Sequence, residues 1–405
     1  MKMGKVAIVH DWLTGLRGGE KCLLAFLRIY PQADIYTLLH VPGSTTKEID
    51  ERVVATSFLQ KLPGIQKYYR LMLPFYPKAI RDFKLEGYDL VISLSHAAAK
   101  NVSIPPGTKH ICYCFTPMRY IWDQAQAYFG KATFLVRPLI KKLRIWDRAA
   151  SEQVNHFISI SRFVSARIRC YYGRKATVIY PPVETHWIKP IEAYTPGQAF
   201  LYAGALVPYK KVDVVVEAFN QLGLELWIAG KGPEESKLKS KAKSNIKFFG
   251  PVSDEKLAEM YANCRALLFP AIEDFGMIPI ECLAAGRPVI GMYGGALKES
   301  LNALKPWNYS KDQISGLAVG DACGVFIEKR AKKQKQAIID SVEFFMQHEK
   351  SFIPEECIKR AELFSPIRFY SAWANFLIKN NLFPAREVIS EESEVKVPMN
   401  ISQNA

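Results

Sequence analysis

The stretch Ala271-Ile272-Glu273-Asp274-Phe275-Gly276-Met277-Ile278-Pro279-Ile280-Glu281-Cys282-Leu283-Ala284-Ala285-Gly286-Arg287-Pro288-Val289-Ile290 decides the fold. An apolar run, Ala266–Pro270, precedes it, and Ile278–Ala285 has the length and apolar pattern of a helix. A second apolar run, Pro288–Gly291, closes the unit. Strand, glycine-bearing loop, helix and strand in this order form the repeating unit of a parallel sheet with crossover helices. Glu273 stands in the loop, and Glu281 lies on the helix that follows. Gly276 permits close backbone approach. The helix start offers unpaired N–H groups and the positive end of a dipole, a seat for a diphosphate or for sugar hydroxyls. Carboxylates suit such hydroxyls because each oxygen accepts hydrogen bonds.

Outward from this stretch the alternation continues. Ala199–Ala203 reads as a strand ending at Gly204, Val212–Phe219 as a helix, and Leu224–Ala229 as a strand ending in Gly230-Lys231-Gly232-Pro233. Ile246–Phe249 is a further strand and Asp254–Asn263 a helix. In the first half, Val6–Val9, Leu90–Ser93, His110–Cys114 and Phe157–Ile160 are short apolar runs separated by longer amphipathic stretches. The expected architecture is α/β, with two doubly wound domains facing a cleft, a length of 405 residues being ample for both. The first domain is expected over 1–182 and a linker rich in proline over 183–198. The second domain spans 199–364, a C-terminal helix packing back toward the first spans 365–386, and a disordered tail spans 387–405. Residues 300–320 read as an irregular insertion, since tryptophan, proline, asparagine and glycine interrupt any period.

The string around Glu273 and Glu281 resembles the E-x7-E signature of the retaining glycosyltransferases of family 4, which adopt the GT-B fold. The companion segment, Gly204-Ala205-Leu206-Val207-Pro208-Tyr209-Lys210-Lys211, is similar to the family's glycine, arginine and, five residues on, lysine that grip the donor diphosphate. Lys210 fits the lysine, whereas Ala205 replaces the arginine, leaving Lys211 or the more distant Arg162 to complete the clamp. Read without the family, Lys210-Lys211 is a basic pair at a strand-to-helix turn, where a phosphate is welcome. Gly230-Lys231-Gly232-Pro233 matches the family's G-x-G-P, and Phe249-Gly250-Pro251-Val252 with Tyr261 matches the segment near the nucleobase. The resemblance implies donor-binding roles for Gly204, Lys210, Lys211, Gly230, Gly276, Met277, Ile278 and Glu281, with Glu281 on the ribose and Glu273 at the transferred sugar.

In the first half, His10-Asp11-Trp12-Leu13 ends the first strand, and Arg17-Gly18-Gly19-Glu20 opens a helix. Together with Ser93-Leu94-Ser95-His96, the segment Cys112–Tyr120 and the segment Ile158–Val164, they resemble a subgroup of bacterial mannosyltransferases of O-antigen and other polysaccharides. Phe115 stands where that subgroup often has a cleft histidine, which turns attention to His96 and His10 as polar neighbours of the transferred sugar. Asp11, Gly18, Gly19, Arg119 and Arg162 are the expected acceptor-side residues.

Residues 1–190 carry 28 Lys and Arg against 13 Asp and Glu, so the whole formal charge of +15 lies there. A one-sided basic half suggests an anionic partner. Bases and aromatics interleave over 64–84 and 134–148, a pattern suited to an anionic membrane surface or to single-stranded nucleic acid. No recognition module accompanies the charge, so nucleic acid is not expected. No G-x-G-x-x-G follows the first strand, against a dinucleotide-dependent oxidoreductase. The eight scattered cysteines lack metal-site spacing, and there is no Asp-x-Asp pair to hold a divalent ion. This agrees with the resemblance, which implies no obligatory metal, and no cofactor is expected. No run of 18 uncharged apolar residues occurs, and the N-terminus reads as a strand rather than a signal core, so the expected location is cytoplasmic, with peripheral attachment to the inner membrane face. The function the resemblance implies is transfer of a hexose, first of all mannose from GDP-mannose, with retention, to a lipid-linked or saccharide acceptor. A noncatalytic GT-B partner subunit is the alternative.

Overall fold

The computed structural model describes residues 4–123, 125, 130, 133–193, 195, 197–308, 319–329 and 334–382. Two sheets organise the chain. The first has seven strands: β1 (Val6–His10), β2 (Asp34–Thr37), β3 (Val53–Thr56), β4 (Leu90–Ser95), β5 (Lys109–Cys114), β6 (His156–Ser159) and β7 (Ala176–Val178). Their order is β3-β2-β1-β4-β5-β6-β7, with parallel registers along β3-β2-β1-β4 and between β6 and β7. The second has six strands: β8 (Ala199–Ala203), β9 (Leu226–Ala229), β10 (Ile246–Gly250), β11 (Cys264–Phe269), β12 (Val289–Met292) and β13 (Gly324–Ile327). Their order is β10-β9-β8-β11-β12-β13, parallel throughout. Strands such as β1, β4, β8 and β12 are buried on both faces, which is why they read as continuous apolar runs instead of alternating ones.

The longer helices used below are α1 (Gly18–Ile29), α2 (Thr133–Ala150), α3 (Arg162–Tyr172), α4 (Val212–Leu222), α5 (Asp254–Asn263), α6 (Met277–Ala284), α7 (Gln334–His348), α8 (Pro354–Glu362) and α9 (Pro366–Lys379). By internal packing the chain divides into two compact units. The first gathers Met1–Tyr113, Asp123–His156 and Phe369–Ala405, and the second gathers Cys114–Trp122 and Phe157–Arg368.

In the first unit α1 and the end of α9 share an aromatic core. Phe26 meets Trp373 edge-on at 4.7 Å, and the Trp373 indole N–H donates to the Tyr30 hydroxyl at 2.9 Å. On α2, Ile140, Leu143, Asp147 and Ala150 are buried at helical spacing. The buried Asp147 carboxylate accepts from the Lys100 ammonium at 2.7 Å and from the Asn101 amide at 3.0 Å. That pair fixes α2 to the Ala99–Asn101 turn, which also packs against the short helix Tyr76–Arg81. Residues 65–81 form the short pieces Ile65–Tyr68, Tyr69–Phe75 and Tyr76–Arg81, with Pro74 inside the second and Pro77 in the first turn of the third, where a missing N–H is tolerated.

In the second unit the core lies between the sheet and α4 and α7, where Phe200, Phe219, Val342 and Phe345 are fully buried. The expected strand and helix positions hold, with ends displaced by up to three residues; β4, for example, runs on to Ser95 and α4 to Leu222. The 300–320 stretch contains a turn at Pro306–Asn308 and another at Val319–Asp321, while residues 309–318 and the expected tail lie outside the described residues. All eight cysteines are free thiols, and Cys170 on α3 is the exposed one. Among the described residues no helix is long and apolar enough to cross a membrane.

Candidate active site

In the second unit the loops after β8 and β9 meet through backbone contacts, and the loop after β11 meets the first through the Lys210–Glu273 ion pair. Gly204 leaves β8 with φ +141°, and its N–H donates to the Ala229 carbonyl at 2.9 Å. The Leu206 N–H donates to the Lys231 carbonyl at 3.0 Å. A Cβ on Gly230 would fall 1.9 Å from the Gly204 carbonyl oxygen, so the two loops touch only because a side chain is missing there. The third loop carries Glu273. Its carbonyl accepts from the Ala296 N–H at 3.0 Å, and a Cβ on Gly295 would lie 2.3 Å from that same oxygen. The glycine pair at 294 and 295 thus holds the backbone behind Glu273 in place.

Lys210 ends a tight turn, Pro208–Lys210, before α4, and its ammonium pairs with the Glu273 carboxylate. Burial, and then the nearby Arg119 guanidinium, push the Lys210 pKa down to about 8. The neighbouring carboxylate of Asp274 is buried and takes two guanidinium groups. The Arg119 Nε–H donates to it at 2.9 Å, reinforced by Nη2, and Arg167 on α3 donates through Nη1 at 2.8 Å. Arg167 also donates to the Thr116 hydroxyl. Successive carboxylates in one loop therefore hold three cationic side chains. Gly276 precedes α6 at φ +87°, against the Phe269 ring, and Met277 and Ile278 begin the helix. On α6, Glu281 is buried and accepts from the Tyr261 hydroxyl at 2.9 Å. Burial and the Glu281 charge hold the Tyr261 phenol well above its usual range, keeping it a donor.

Lys211 is exposed and sits in the left-handed region at φ +59°. Arg162 is exposed at the start of α3, whose N-terminal N–H groups are capped by Glu299: Arg162 N–H at 2.7 Å and Phe163 N–H at 3.0 Å. Glu299 also accepts from the Tyr180 hydroxyl at 3.1 Å.

The first unit holds the remaining candidates. Asp11 is fully buried rather than displayed on a loop. Its carboxylate accepts the N–H groups of His96, Ala97, Ala98 and Ala99 at 2.6–2.8 Å, closing the turn after β4. The half-buried His96 ring lies 3.1 Å from Asp11 through Nδ1, with the Trp12 ring edge-on at 4.5 Å. His10 is fully buried on β1, and burial, together with His96, pushes its pKa down to about 4, so it is neutral at pH 7. Gly18 and Gly19 open α1, where Glu20 accepts the Arg17 N–H at 3.0 Å in a capping arrangement.

The structure thus brings Lys210, Glu273 and Gly276 onto neighbouring loops of one sheet, with Glu281 on the helix that follows and Gly204 and Gly230 as the close-packed base of the loops. Arg119, expected on the acceptor side, instead joins the loop of Glu273. Sequence reading passed over Asp274, Arg167 and Glu299. The acidic doublet at 273 and 274 was the one available signal, because nothing local marks a buried arginine on α3.

These features define a class: an α/β protein of two doubly wound sheets with acidic and basic groups gathered at the strand ends of the second. A family model described as "Glycosyl transferases group 1" matches residues 183–361, and one described as "Glycosyltransferase Family 4" matches residues 16–187. The chain belongs to the family 4 glycosyltransferases of GT-B fold. It is 27% identical over 175 residues to an uncharacterized glycosyltransferase of Methanocaldococcus jannaschii, covering 42% of this chain and 49% of that protein. It is 26% identical over 254 residues to O-antigen chain mannosyltransferase B of Escherichia coli, covering 58% and 64%. The chain spans less than two thirds of the length of the curated relatives it matches. Among solved structures, Anabaena HepE in complex with UDP matches at a TM-score of 0.65 and 15% identity, over 93% of this chain and all of that one. Sucrose-phosphate synthase of Thermosynechococcus elongatus matches at 0.66 and 14%, again over 93% of this chain and all of that one.

Proposed function

We propose that the protein transfers a hexosyl group from a nucleotide diphosphate sugar to a hydroxyl acceptor, with retention of anomeric configuration. The observation that carries this reading is the Lys210–Glu273 pair, held beside the N-terminus of α6 by loops whose glycines admit nothing larger. In this reading Lys210 and the α6 N–H groups neutralise the leaving diphosphate, without an obligatory metal. Glu281 accepts from the ribose, and Glu273, freed from Lys210 as the phosphates arrive, faces the transferred sugar. His96, steadied by Asp11 and Trp12, is the polar candidate in the first unit; His10 supports it from within the core.

GDP-mannose is the proposed donor, because relatives matching this chain include mannosyltransferases of the O-antigen chain. The acceptor is proposed to be lipid-linked or a saccharide of a cell-surface polysaccharide, reached at the inner membrane face by the basic first half. The test is thermal-shift binding with GDP, UDP and ADP, followed by transfer assays over a panel of donor sugars and NMR of the product's anomeric centre. A ligand specific for the folded state raises the midpoint by mass action. GDP raising it most, with an α-mannoside product, is the expected outcome; no nucleotide raising it would sink the reading. Ala205 and Phe115 favour a second reading, a noncatalytic GT-B partner subunit, which binding without transfer or donor hydrolysis would establish.

A further inference from the structure

Ala205 stands where the family's donor clamp has the arginine of an arginine–lysine pair, and the sequence suggests Lys211 or Arg162 as its replacement. Lys211 is exposed, and Arg162 is exposed at the start of α3. The structure shows a different cation at the site. Arg119 and Lys210 are bound to consecutive carboxylates, Asp274 and Glu273, in the loop that opens α6. Adjacent Cα atoms are 3.8 Å apart, so the two cationic groups share one small region. Their proximity is also felt electrostatically, since Arg119 is among the causes that depress Lys210. Counting Arg167, three cations face two anions there, an excess of one positive charge beside a helix N-terminus. Asp274 fixes the Arg119 guanidinium through Nε and Nη2, so it is oriented before any ligand arrives.

We infer that Arg119, carried on a segment far from the donor-motif loops in sequence, supplies the guanidinium that Ala205 lacks and binds the diphosphate of the donor together with Lys210. The inference rests on the nucleotide-sugar reading above. A guanidinium presents several donors in a planar fork that matches phosphate oxygens, which lysine cannot reproduce. Arg119 is accordingly a donor-binding residue, not an acceptor-side one, and Asp274 is its positioning residue. Arg167 also engages Asp274, so the loop keeps one ion pair when Arg119 is replaced.

The test is calorimetric binding of GDP and UDP against GMP and UMP, to the full chain and to Arg119→Ala, Arg119→Lys and Arg119→Ala with Ala205→Arg. The monophosphates retain base and ribose but lack the second phosphate. Arg119→Ala should weaken diphosphate binding roughly 10–100-fold, the range for charge-assisted hydrogen bonds. It should leave monophosphate binding far less affected. Arg119→Lys should lie between, and the added arginine at 205 should restore at least part of the lost diphosphate preference. If Arg119→Ala fails to fold, the ratio of diphosphate to monophosphate affinity in Arg119→Lys decides the matter. An unchanged ratio in every folded Arg119 variant, or equal losses for both ligand classes, overturns the inference while leaving the nucleotide-sugar reading intact. Absence of nucleoside diphosphate binding in the unmodified protein overturns that reading itself.

Discussion

Lys210 is a cation kept partly out of water, and that alone gives it a pH signature. Its pKa of about 8 in the fold compares with roughly 10.4 for a lysine in the unfolded chain. Below pH 8 the buried ammonium is an energetic penalty, and stability gains from this group as pH rises from 8 toward 10.4, where only the unfolded chain still binds the proton. Ligand affinity runs the other way, because a diphosphate prefers the charged form. Calorimetric titrations should show nucleoside diphosphate affinity falling as pH is raised through 8. Lys210→Arg should abolish that fall, since arginine stays protonated, and Lys210→Ala should weaken binding at neutral pH by about 1.5–3 kcal/mol. The two glutamates should separate kinetically. Glu281→Gln should chiefly raise the apparent donor KM, since its partner Tyr261 and its burial make it part of a fixed binding surface. Glu273→Gln should chiefly lower kcat, a contact strengthened in the charged transition state. Matching changes in both parameters for both variants would refute the division.

At the scale of elements, the loop between β11 and α6 is held by ion pairs that no local pattern announces. Arg119 and Arg167 lie 155 and 107 residues from Asp274 in sequence. Asp274→Ala leaves a buried guanidinium on α3 without its counter-ion, and removal of one partner from such a pair costs about 3–5 kcal/mol. Denaturant unfolding monitored by circular dichroism should show a loss near the lower end of that range, because Arg119 is partly hydrated. A change below about 0.5 kcal/mol would mean that the pairs contribute nothing net. The same loop shows what sequence could and could not give. Helix α5 was legible to the residue, because Ser253 caps it and its last residue precedes an apolar run. Gly276 was legible as a close approach, though what approaches it was not. The burial of Asp11 beneath four N–H groups was unreadable, since a carboxylate after a strand looks the same whether it meets solvent or a turn of backbone.

For the whole molecule the charge asymmetry acquires a surface. Leu71, Phe75, Phe134, Leu135 and Ile145 are exposed apolar side chains on the two basic stretches, with Lys67, Arg70, Lys78, Lys141 and Lys142 exposed among them. Both stretches pack on the Ala99–Asn101 turn, so within the first unit they are neighbours. Such a mixture suits anionic lipid, each base adding about 1 kcal/mol near the surface, with screening over roughly 8 Å at physiological salt. In flotation with anionic vesicles, Lys141→Glu with Lys142→Glu should reduce binding. Charge reversal at Lys239, Lys241 and Lys243, three exposed bases of the second unit, should not. Equal flotation with neutral vesicles, or none with either, would count against membrane attachment.

The distribution of thiols bears on how such experiments are carried out. Seven of the eight cysteines are buried, and burial raises the pKa of several, Cys323 to about 12, so they react sluggishly with alkylating dyes. Cys170, on the exposed side of α3, is left as the one ready attachment point for a maleimide fluorophore, without any engineered cysteine. The same thiol makes a covalent dimer available to protein stored without reductant. A band of doubled mass on a nonreducing gel would then report air oxidation at one surface sulfur rather than a quaternary structure.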